Sequence, residues 1–440
     1  MKKLKKCIKY YLFDSYHRPL AKLHHLIAYI NSFRYLKASR NFSERIFLLK
    51  IPPLSTSYYN LVGRFIFLIT NFLSIILLRK FIEKDLNLEN NYKDDEYNSN
   101  TRPWPPQSML DIEIKNKKNL DDGFIEGIEE SYKKSSSELF ENKFFSDSNW
   151  WKECRQEFNE IFIIDDKVNK SNLENFRNDV KTKAEILSDQ NFINKKNSNF
   201  INMIRSLSLV NLYHKLSEKI DHNILRLCSE SIVGNNYCPI YRGQRLGYRI
   251  LRYSYYLSQI KNFTNLKSDE KNLILDIGGG YGGLSRVLKH YYTLSTFVII
   301  ELPELCLLGS YYLKKCFPNS KIGIYQNFTS LNTISYQDLT KYDFVILTPP
   351  FMKKFNSEIF DLSINTTSLG EMTESMQEYY ISNLEISTKK YFYSVNRPNK
   401  RIEKYNSNGF YDFKFKNRWM SKIYKYTHTY HIEFLGKKIK

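Results

Sequence analysis

The chain has 440 residues, a hydrophobic content of 42%, a charged content of 25% and a formal net charge of +20. This length can bury more than one core, and the composition is that of a folded protein rather than a disordered one. The six cysteines form no CxxC pair and no metal-ligand cluster, which argues against a disulfide framework and favours a reducing cytosol. We therefore expect a cytoplasmic protein of two domains plus extensions, with no bound metal.

The positive charge is concentrated in the first 80 residues. They contain 15 Lys and Arg against two acids, so they hold 13 of the 20 net positive charges and leave 7 for the remainder. Residues 61–80 are apolar but interrupted by Arg64 and Asn71, which makes the uninterrupted run too short for a transmembrane helix. Residues 1–80 fit either peripheral contact with an anionic membrane at the inner face of the cell membrane, or packing on the protein's own core. Because the basic charge is confined to this segment, we expect no nucleic-acid partner.

Changes in composition and pattern divide the chain into three regions. Residues 1–100 form a basic, partly apolar N-terminal extension and linker. Residues 101–265 repeat apolar residues at three- and four-residue steps, as in "NFINMIRSLSLVNLYHKLSEKI", which predicts a mainly helical domain. Residues 266–440 alternate short apolar runs with helical stretches, which predicts a parallel sheet with covering helices and a closing antiparallel strand pair. The predicted fold is therefore α/β, with a Rossmann-like domain at the C-terminus preceded by a mostly helical domain.

The segment "LILDIGGGYGG" (273–283) is a strand that runs into a glycine-rich loop, with a helix predicted to start near its last residue. The strand ends in Asp276. Glycines at every second position, including Gly278 and Gly280, permit a tight turn in which backbone N–H groups approach a ligand. Alone this pattern is not specific, because dinucleotide-binding loops are similar, although the final GxxG spacing fits poorly.

A second acid, Glu301, ends the next strand, where its carboxylate can accept hydrogen bonds from both hydroxyls of a ribose. Asp276 has no standard role in a nicotinamide site, whereas an acid there commonly orders the loop and the methionine end of S-adenosylmethionine. The combination favours S-adenosylmethionine over NAD as the cofactor. A glycine turn with only a structural role is the remaining alternative.

Several of these stretches resemble the sugar O-methyltransferase family of bacterial surface-polysaccharide clusters, whose members are class I S-adenosylmethionine-dependent methyltransferases. The stretches are "LDIGGGYGGLSRVL", "IIELPEL", "FDLSINTTSLGEMTESMQEYYI" and the lead-in "ESIVGNNYCPIYRGQRLGYRILRYSYYLSQI". The resemblance covers residues 200–396 and leaves the first hundred residues unexplained. It implies that Asn365 lies beside the methionine moiety of the cofactor. It also implies cofactor contacts at Asp276, Gly278, Gly280 and Glu301.

Methyl transfer from a sulfonium to an oxygen requires alignment of acceptor, methyl and sulfur, and removal of one proton. A sugar hydroxyl is a poor acid, so a base within hydrogen-bond reach is useful. Glu371, which follows the strand "FDLSIN" on the side where such sheets place ligands, is the candidate catalytic base. Its alternative role is to cap the helix that begins near Thr373.

Four arginines of the lead-in segment are spaced by three, four and three residues, which predicts that they line one helical face. They could meet a phosphate or an acidic sugar, or form a solvated face paired with nearby acids. The four are Arg242, Arg245, Arg249 and Arg252.

Together these patterns favour an S-adenosylmethionine-dependent O-methyltransferase of polysaccharide biosynthesis. Its acceptor would be a sugar hydroxyl of a surface glycan or of its nucleotide- or lipid-linked precursor. One alternative is an RNA methyltransferase that uses the basic extension as an electrostatic tether. Another is a non-catalytic S-adenosylmethionine-binding partner protein.

Overall fold

A computed structural model provides the three-dimensional structure of the chain. It describes residues 86–87, 120–141, 149–177, 199–241, 244–396, 415, 419–425 and 432–439. Residues 1–80 lie outside these stretches, so the membrane contact expected for them stays a prediction. Among the described helices, none is long and apolar enough to cross a bilayer.

Helices dominate the described part of the chain that precedes the glycine segment. They are α1 (Asp122–Glu141), α2 (Asn149–Phe162), α3 (Lys170–Glu174), α4 (Asn199–Ser217), α5 (His222–Leu227) and α6 (Tyr248–Phe263). The short strands among them are β1 (Leu86–Asn87), β2 (Ile163–Ile164), β3 (Lys167–Val168), β4 (Ile240–Tyr241) and β5 (Gln244–Arg245). Strand β4 pairs with β1 and β5, and β2 pairs with β3. The prediction of a mostly helical region before the sheet is confirmed.

An eight-stranded sheet forms the C-terminal part of the protein. Its strands are β6 (Leu273–Ile277), β7 (Thr296–Ile300), β8 (Ile322–Gly323), β9 (Phe344–Leu347), β10 (Phe360–Thr366), β11 (Thr388–Asn396), β12 (Trp419–Lys425) and β13 (Ile432–Lys438). Their order in the sheet is β12-β13-β11-β10-β6-β7-β9-β8. Strands β6 to β11 pair in parallel, whereas β13 is antiparallel to both β11 and β12.

Helices cover both faces of this sheet. They are α7 (Gly283–Tyr291), α8 (Pro303–Cys316), α9 (Tyr336–Leu339) and α10 (Glu374–Ser387). In β6, Leu273, Leu275 and Ile277 face a core shared with α10, and Ile274 faces a second core shared with α7. Two-sided burial explains why β6 is a nearly continuous apolar run rather than an alternating one. The predicted α/β, Rossmann-like fold with a closing antiparallel strand pair is confirmed.

The central strand β6 is the point at which the strand order changes direction. Strand β7, which follows β6 in the chain, lies on one side of it, and β10 lies on the other. In an open parallel sheet such a switch point leaves a crevice at the carboxyl ends of the strands, because the connecting segments diverge there. The loops that follow β6, β7 and β10 therefore meet at the candidate site.

The helical region packs on the same face of the sheet as α7 and α8. A single apolar core contains Ile128 of α1, Val210 of α4, Leu257 of α6 and Ile274 of β6. Strand β6, which leads into the glycine loop, thus packs against residues that are far away in the sequence. The domain boundary near residue 265 stays a prediction.

A buried ion pair lies at the centre of this support. The Arg177 guanidinium, whose side chain is 2% exposed, donates to the Glu230 carboxylate at 2.5 Å. Burial alone would raise the pKa of Glu230, but the charge and hydrogen bond of Arg177 lower it. The same guanidinium lies 5.5 Å from the ring centroid of Tyr281, which stands between two glycines of the loop. Arg177 therefore connects the helical region directly to the glycine loop.

Replacing Arg177 with methionine should lower the free energy of unfolding by about 3–5 kcal/mol, because Glu230 would keep a buried charge without its partner. The double variant Arg177→Met, Glu230→Gln also removes that charge and should recover part of the loss. Urea unfolding followed by circular dichroism measures both. Equal losses in the single and double variants would contradict this account of the ion pair.

Candidate active site

The glycine loop after β6 adopts a backbone that requires glycine. The φ angles of Gly278, Gly280 and Gly282 are +68°, +59° and +84°, a region that side-chain-bearing residues rarely adopt. A Cβ atom at Gly278 would lie 2.1 Å from the Ser368 Oγ. A Cβ atom at Gly280 would meet no described atom within 4 Å. The loop is therefore closely packed at Gly278 and open at Gly280, where a ligand can approach the backbone.

Glu301, which directly follows β7, is bonded to this loop. Its Oε1 accepts a hydrogen bond from the Gly280 N–H at 2.9 Å, and its Oε2 accepts one from the Leu302 N–H at 2.7 Å. A carboxylate oxygen has more than one acceptor position, so the partly exposed carboxylate can accept further donors from a ligand. The structure thus brings together Glu301 and Gly280, two residues predicted from sequence to share a site.

Asp276 lies beneath the loop and is 1% exposed. Its Oδ2 accepts a hydrogen bond from the Ser285 hydroxyl at 2.8 Å, while its Oδ1 has no hydrogen-bond partner among the described residues. Burial raises the pKa of this carboxyl to about 6, although the Ser285 hydrogen bond acts in the opposite direction. The ionised form of Asp276 is therefore disfavoured, and a nearby hydrogen-bond donor or positive charge would stabilise it.

Two further acids with raised pKa values lie near this edge of the sheet. Burial raises the pKa of Glu301 to about 7, against the lowering effect of its two backbone donors. Burial also raises the pKa of Glu304, in the first turn of α8, to about 7. Such a set of carboxyls suits a ligand that carries hydroxyl donors and a positive charge. It disfavours a pyrophosphate.

Asn365 is completely buried at the carboxyl end of β10. Its amide Nδ2 donates to the Ile277 carbonyl at 2.8 Å, and its Oδ1 accepts from the Asn396 Nδ2 at 2.7 Å. The side chain therefore joins the ends of β6, β10 and β11 beside the loop. Its predicted contact with a methionine moiety stays a prediction.

Glu371 is partly exposed and lies in a short 3-10 turn, Leu369–Glu371, between β10 and α10. Helix α10 begins at Glu374, and its cap is Thr373, whose side chain accepts a hydrogen bond from the Met376 N–H. Because Thr373 has the capping position, the structure does not give Glu371 the alternative role of N-cap. Its role as the catalytic base stays a prediction.

The arginines of the lead-in segment do not line one helical face, so this prediction was wrong. Arg245 lies on β5 and is 3% exposed, whereas Arg249 and Arg252 lie on α6, which begins only at Tyr248. The chain passes Gly247 against the Glu230 carboxylate, where a Cβ atom would lie 2.3 Å from an oxygen. Gly247 is also the residue that precedes α6, and a larger side chain would not fit there. Arg242 lies outside the described residues.

Sequence reasoning missed residues that hold the site in place. Ser368 and Asn396 bond to groups around the glycine loop, and Arg177 supports its tyrosine. These residues belong to separate stretches of the chain, and no local pattern connects them. In the part of the chain that the structure describes, no group of three His, Cys, Asp or Glu side chains could hold a metal ion.

Comparisons with family models and with curated protein sequences find no match. Solved structures with a similar arrangement include phosphoethanolamine N-methyltransferase 2 of Haemonchus contortus in complex with S-adenosyl-L-methionine. The identity is 12% and the TM-score 0.23, and the match covers 32% of this chain but only 27% of that one.

Two further structures are similar in the same way. Magnesium protoporphyrin IX methyltransferase from Synechocystis PCC 6803, solved with bound SAH, matches at 12% identity and a TM-score of 0.27, over 43% of this chain and 82% of that one. Human N-acetylserotonin methyltransferase in complex with SAM matches at 13% identity and a TM-score of 0.27, over 43% of this chain and 53% of that one. At such identities and TM-scores these likenesses carry no argument. The fold therefore rests on the sheet itself.

The raised pKa of Asp276 predicts a pH dependence of stability. The folded state binds the proton up to about pH 6 and the unfolded state only to about 3.8, so this group's stabilising contribution is lost as the pH rises through that window. Two pH units at roughly 1.4 kcal/mol each amount to about 3 kcal/mol. The asparagine of Asp276→Asn cannot titrate. The unfolding free energy of this variant should therefore rise by about 3 kcal/mol relative to that of the parent between pH 4 and pH 7.

Urea unfolding at several pH values measures this difference. Titrating groups far from Asp276 cancel in it, whereas Glu301 cancels only in part, because the Asp276 charge raises its pKa. Asp343→Asn is the control for sign. Burial acts to raise the pKa of Asp343, but Lys289 and Lys321 outweigh burial, and the net pKa lies below the ordinary value. The unfolding free energy of the parent should therefore increase relative to that of Asp343→Asn as the pH rises. Parallel pH profiles for Asp276→Asn and the parent would show that Asp276 has an ordinary pKa.

Proposed function

We propose that the protein is an S-adenosylmethionine-dependent O-methyltransferase that acts on a sugar hydroxyl of a surface glycan or its precursor. The observation that carries the proposal is the bond between the Glu301 carboxylate and the Gly280 N–H, beside the open space over Gly280. An acid and a glycine turn joined in this way bind a nucleoside from two sides, its hydroxyls on the carboxylate and its body along the backbone.

The charges at the site support S-adenosylmethionine rather than a dinucleotide. Asp276 and Glu304 are buried, Glu301 is partly buried, and burial raises the pKa of all three, so a cationic ligand would gain by stabilising their ionised forms. S-adenosylmethionine carries a sulfonium and an ammonium group, whereas a dinucleotide carries two negative phosphates. These carboxyls would ionise beside the first ligand and attract it, whereas beside the second they would lose free energy on ionising.

The residues around the loop align the reaction and take up the proton. S-adenosylmethionine supplies, when bound, an electrophilic methyl group. Glu371 accepts the proton of the acceptor hydroxyl as its oxygen attacks, so that no free alkoxide has to form. Thr367 and Gly370 donate their N–H groups to Val395 and Asn396 of β11, and these bonds hold the segment that carries Glu371 at the carboxyl edge, where the acceptor must lie.

The sugar acceptor is supported by the sequence resemblance and by the chemistry of this edge. The aromatic ring of Tyr379 is held by a hydrogen bond from its hydroxyl to the Pro349 carbonyl at 2.9 Å. Lys353, which is exposed, lies with its ammonium 5.2 Å from the centroid of that ring. A flat apolar face beside a cation suits a pyranose ring attached to a phosphate, as in a nucleotide- or lipid-linked sugar.

The parent protein should bind S-adenosylhomocysteine, and Gly280→Ala should weaken that binding at least about tenfold. The new methyl group points into the open space over the loop, where the ligand belongs, and the left-handed backbone costs about 1 kcal/mol of stability. Isothermal titration calorimetry measures the affinity and thermal unfolding the stability.

Gly127→Ala on α1 is the matched control, because a Cβ atom there makes only an ordinary contact of 3.7 Å. It should leave the affinity unchanged. Binding of NADH by the parent without binding of S-adenosylhomocysteine would overturn the proposed cofactor.

Glu371→Gln should lower turnover by about 10²–10⁴-fold, the usual effect of losing a general base, while cofactor affinity and melting temperature stay near those of the parent. Glu374→Gln, in the first turn of α10, removes a neighbouring exposed acid and should leave turnover intact. The substrate is tested in cells that lack the gene and carry one of the variants. Mass spectrometry of their surface glycans should show one methyl group restored by the parent and by Glu374→Gln, and absent with Glu371→Gln. Unchanged glycan methylation on loss of the gene would refute the sugar acceptor.

A further inference from the structure

The residue immediately after β10 has an unusual backbone. Thr367 has a φ angle of +60°, although it is β-branched, and such side chains crowd the backbone in the left-handed region. Its N–H donates to the Val395 carbonyl of β11 at 2.7 Å. The strained conformation is therefore held by the neighbouring strand.

This conformation turns the next residue toward the glycine loop. The Ser368 hydroxyl donates to the Ile277 carbonyl at 3.3 Å and accepts from the Asn365 amide at 2.5 Å. Its Oγ occupies the space that a side chain at Gly278 would need, 2.1 Å from an ideal Cβ position. Only glycine therefore fits at the first position of the loop, and Ser368 packs closely against it.

The same segment holds Glu371. The Glu371 N–H donates to the Ser368 carbonyl at 2.9 Å, and the Gly370 N–H donates to the Asn396 Oδ1 at 3.2 Å. Asn396 in turn donates to Asn365, whose amide bonds to the Ile277 carbonyl. A short chain of contacts therefore connects the glycine loop with Glu371, and Thr367 and Ser368 are the link between them.

We propose that the Thr367–Ser368 turn couples occupation of the glycine loop to the placement of Glu371, with Thr367 as a positioning residue. This inference rests on the function proposed above. A ligand that orders Gly278 and Gly280 also orders Ser368, and through it the turn that carries Glu371. The backbone strain at Thr367 is retained because a relaxed turn would release Ser368 from the loop.

The coupling is measured without turnover, by hydrogen exchange and mass spectrometry of the full chain. Adding S-adenosylhomocysteine should slow exchange in the glycine loop and in residues 366–372 of the parent at least about threefold. Thr367→Gly adopts the same φ without strain but frees the turn, so protection should persist in the loop and be lost in residues 366–372. Its melting temperature should stay within about 3 °C of the parent, since relief of strain offsets the added chain freedom.

Turnover of the same variants supplies the second measurement. Thr367→Gly should lower kcat about 10- to 100-fold with cofactor affinity changed less than about threefold, a split that a general loss of stability would not produce. Thr367→Asn should restore most of kcat, because asparagine tolerates a left-handed backbone and is less free than glycine. Asp166→Gly is the matched control, since Asp166 is exposed in the β2–β3 turn with a φ of +59°. It should change neither measurement.

Two results would overturn the coupling while leaving the proposed function intact. One is ligand protection of the glycine loop without protection of residues 366–372 in the parent. The other is a Thr367→Gly protein with the parent's kcat and the parent's pattern of protection. Absence of any protection by S-adenosylhomocysteine would instead overturn the proposed function, and the coupling with it.

Discussion

The contact between Ser368 and Gly278 is the constraint on which the site depends. A side chain at Gly278 would collide with the Ser368 hydroxyl, and this hydroxyl bonds to the end of β6 from a turn in which Thr367 has a φ angle of +60°. The contact brings the loop after β10 onto the loop after β6, which the sheet order makes neighbours. The glycine at this position therefore permits the approach of two loops, while Gly280 leaves room for a ligand.

The cost of this arrangement is electrostatic. Asp276 and Glu304 are buried and Glu301 is partly buried, and burial raises the pKa of each. Ionised carboxyls in such a place destabilise the folded protein, and a cationic ligand reverses part of that effect. Perturbed acids at the carboxyl ends of adjacent strands are typical of functional sites, where stability is given up for binding.

The helical region packs against the glycine loop and stabilises it. The buried Arg177 and Glu230 pair lies against Tyr281, and the apolar core continues from α1 and α4 into the sheet. A glycine-rich loop has little side-chain area with which to anchor itself, and its tyrosine, Tyr281, is buried against Arg177 and Tyr312. The region before the sheet is therefore part of the structure that shapes the glycine loop.

Local patterns in the sequence determined the α/β fold, the glycine loop and the pairing of that loop with Glu301. They did so because a strand buried on both faces must be apolar along its length, and because a turn with several positive φ angles strongly favours glycine. Both requirements act within a few residues. The tertiary structure alone decided that Arg245 lies on a buried strand, that Thr373 rather than Glu371 caps α10, and that Asn365 bonds to two other strand ends. It likewise decided that Arg177 packs against Tyr281 and that Ser368 fills the space beside Gly278. These outcomes depend on contacts between residues up to about a hundred positions apart, whose partners are chosen by packing and carry no signature in the spacing of either segment.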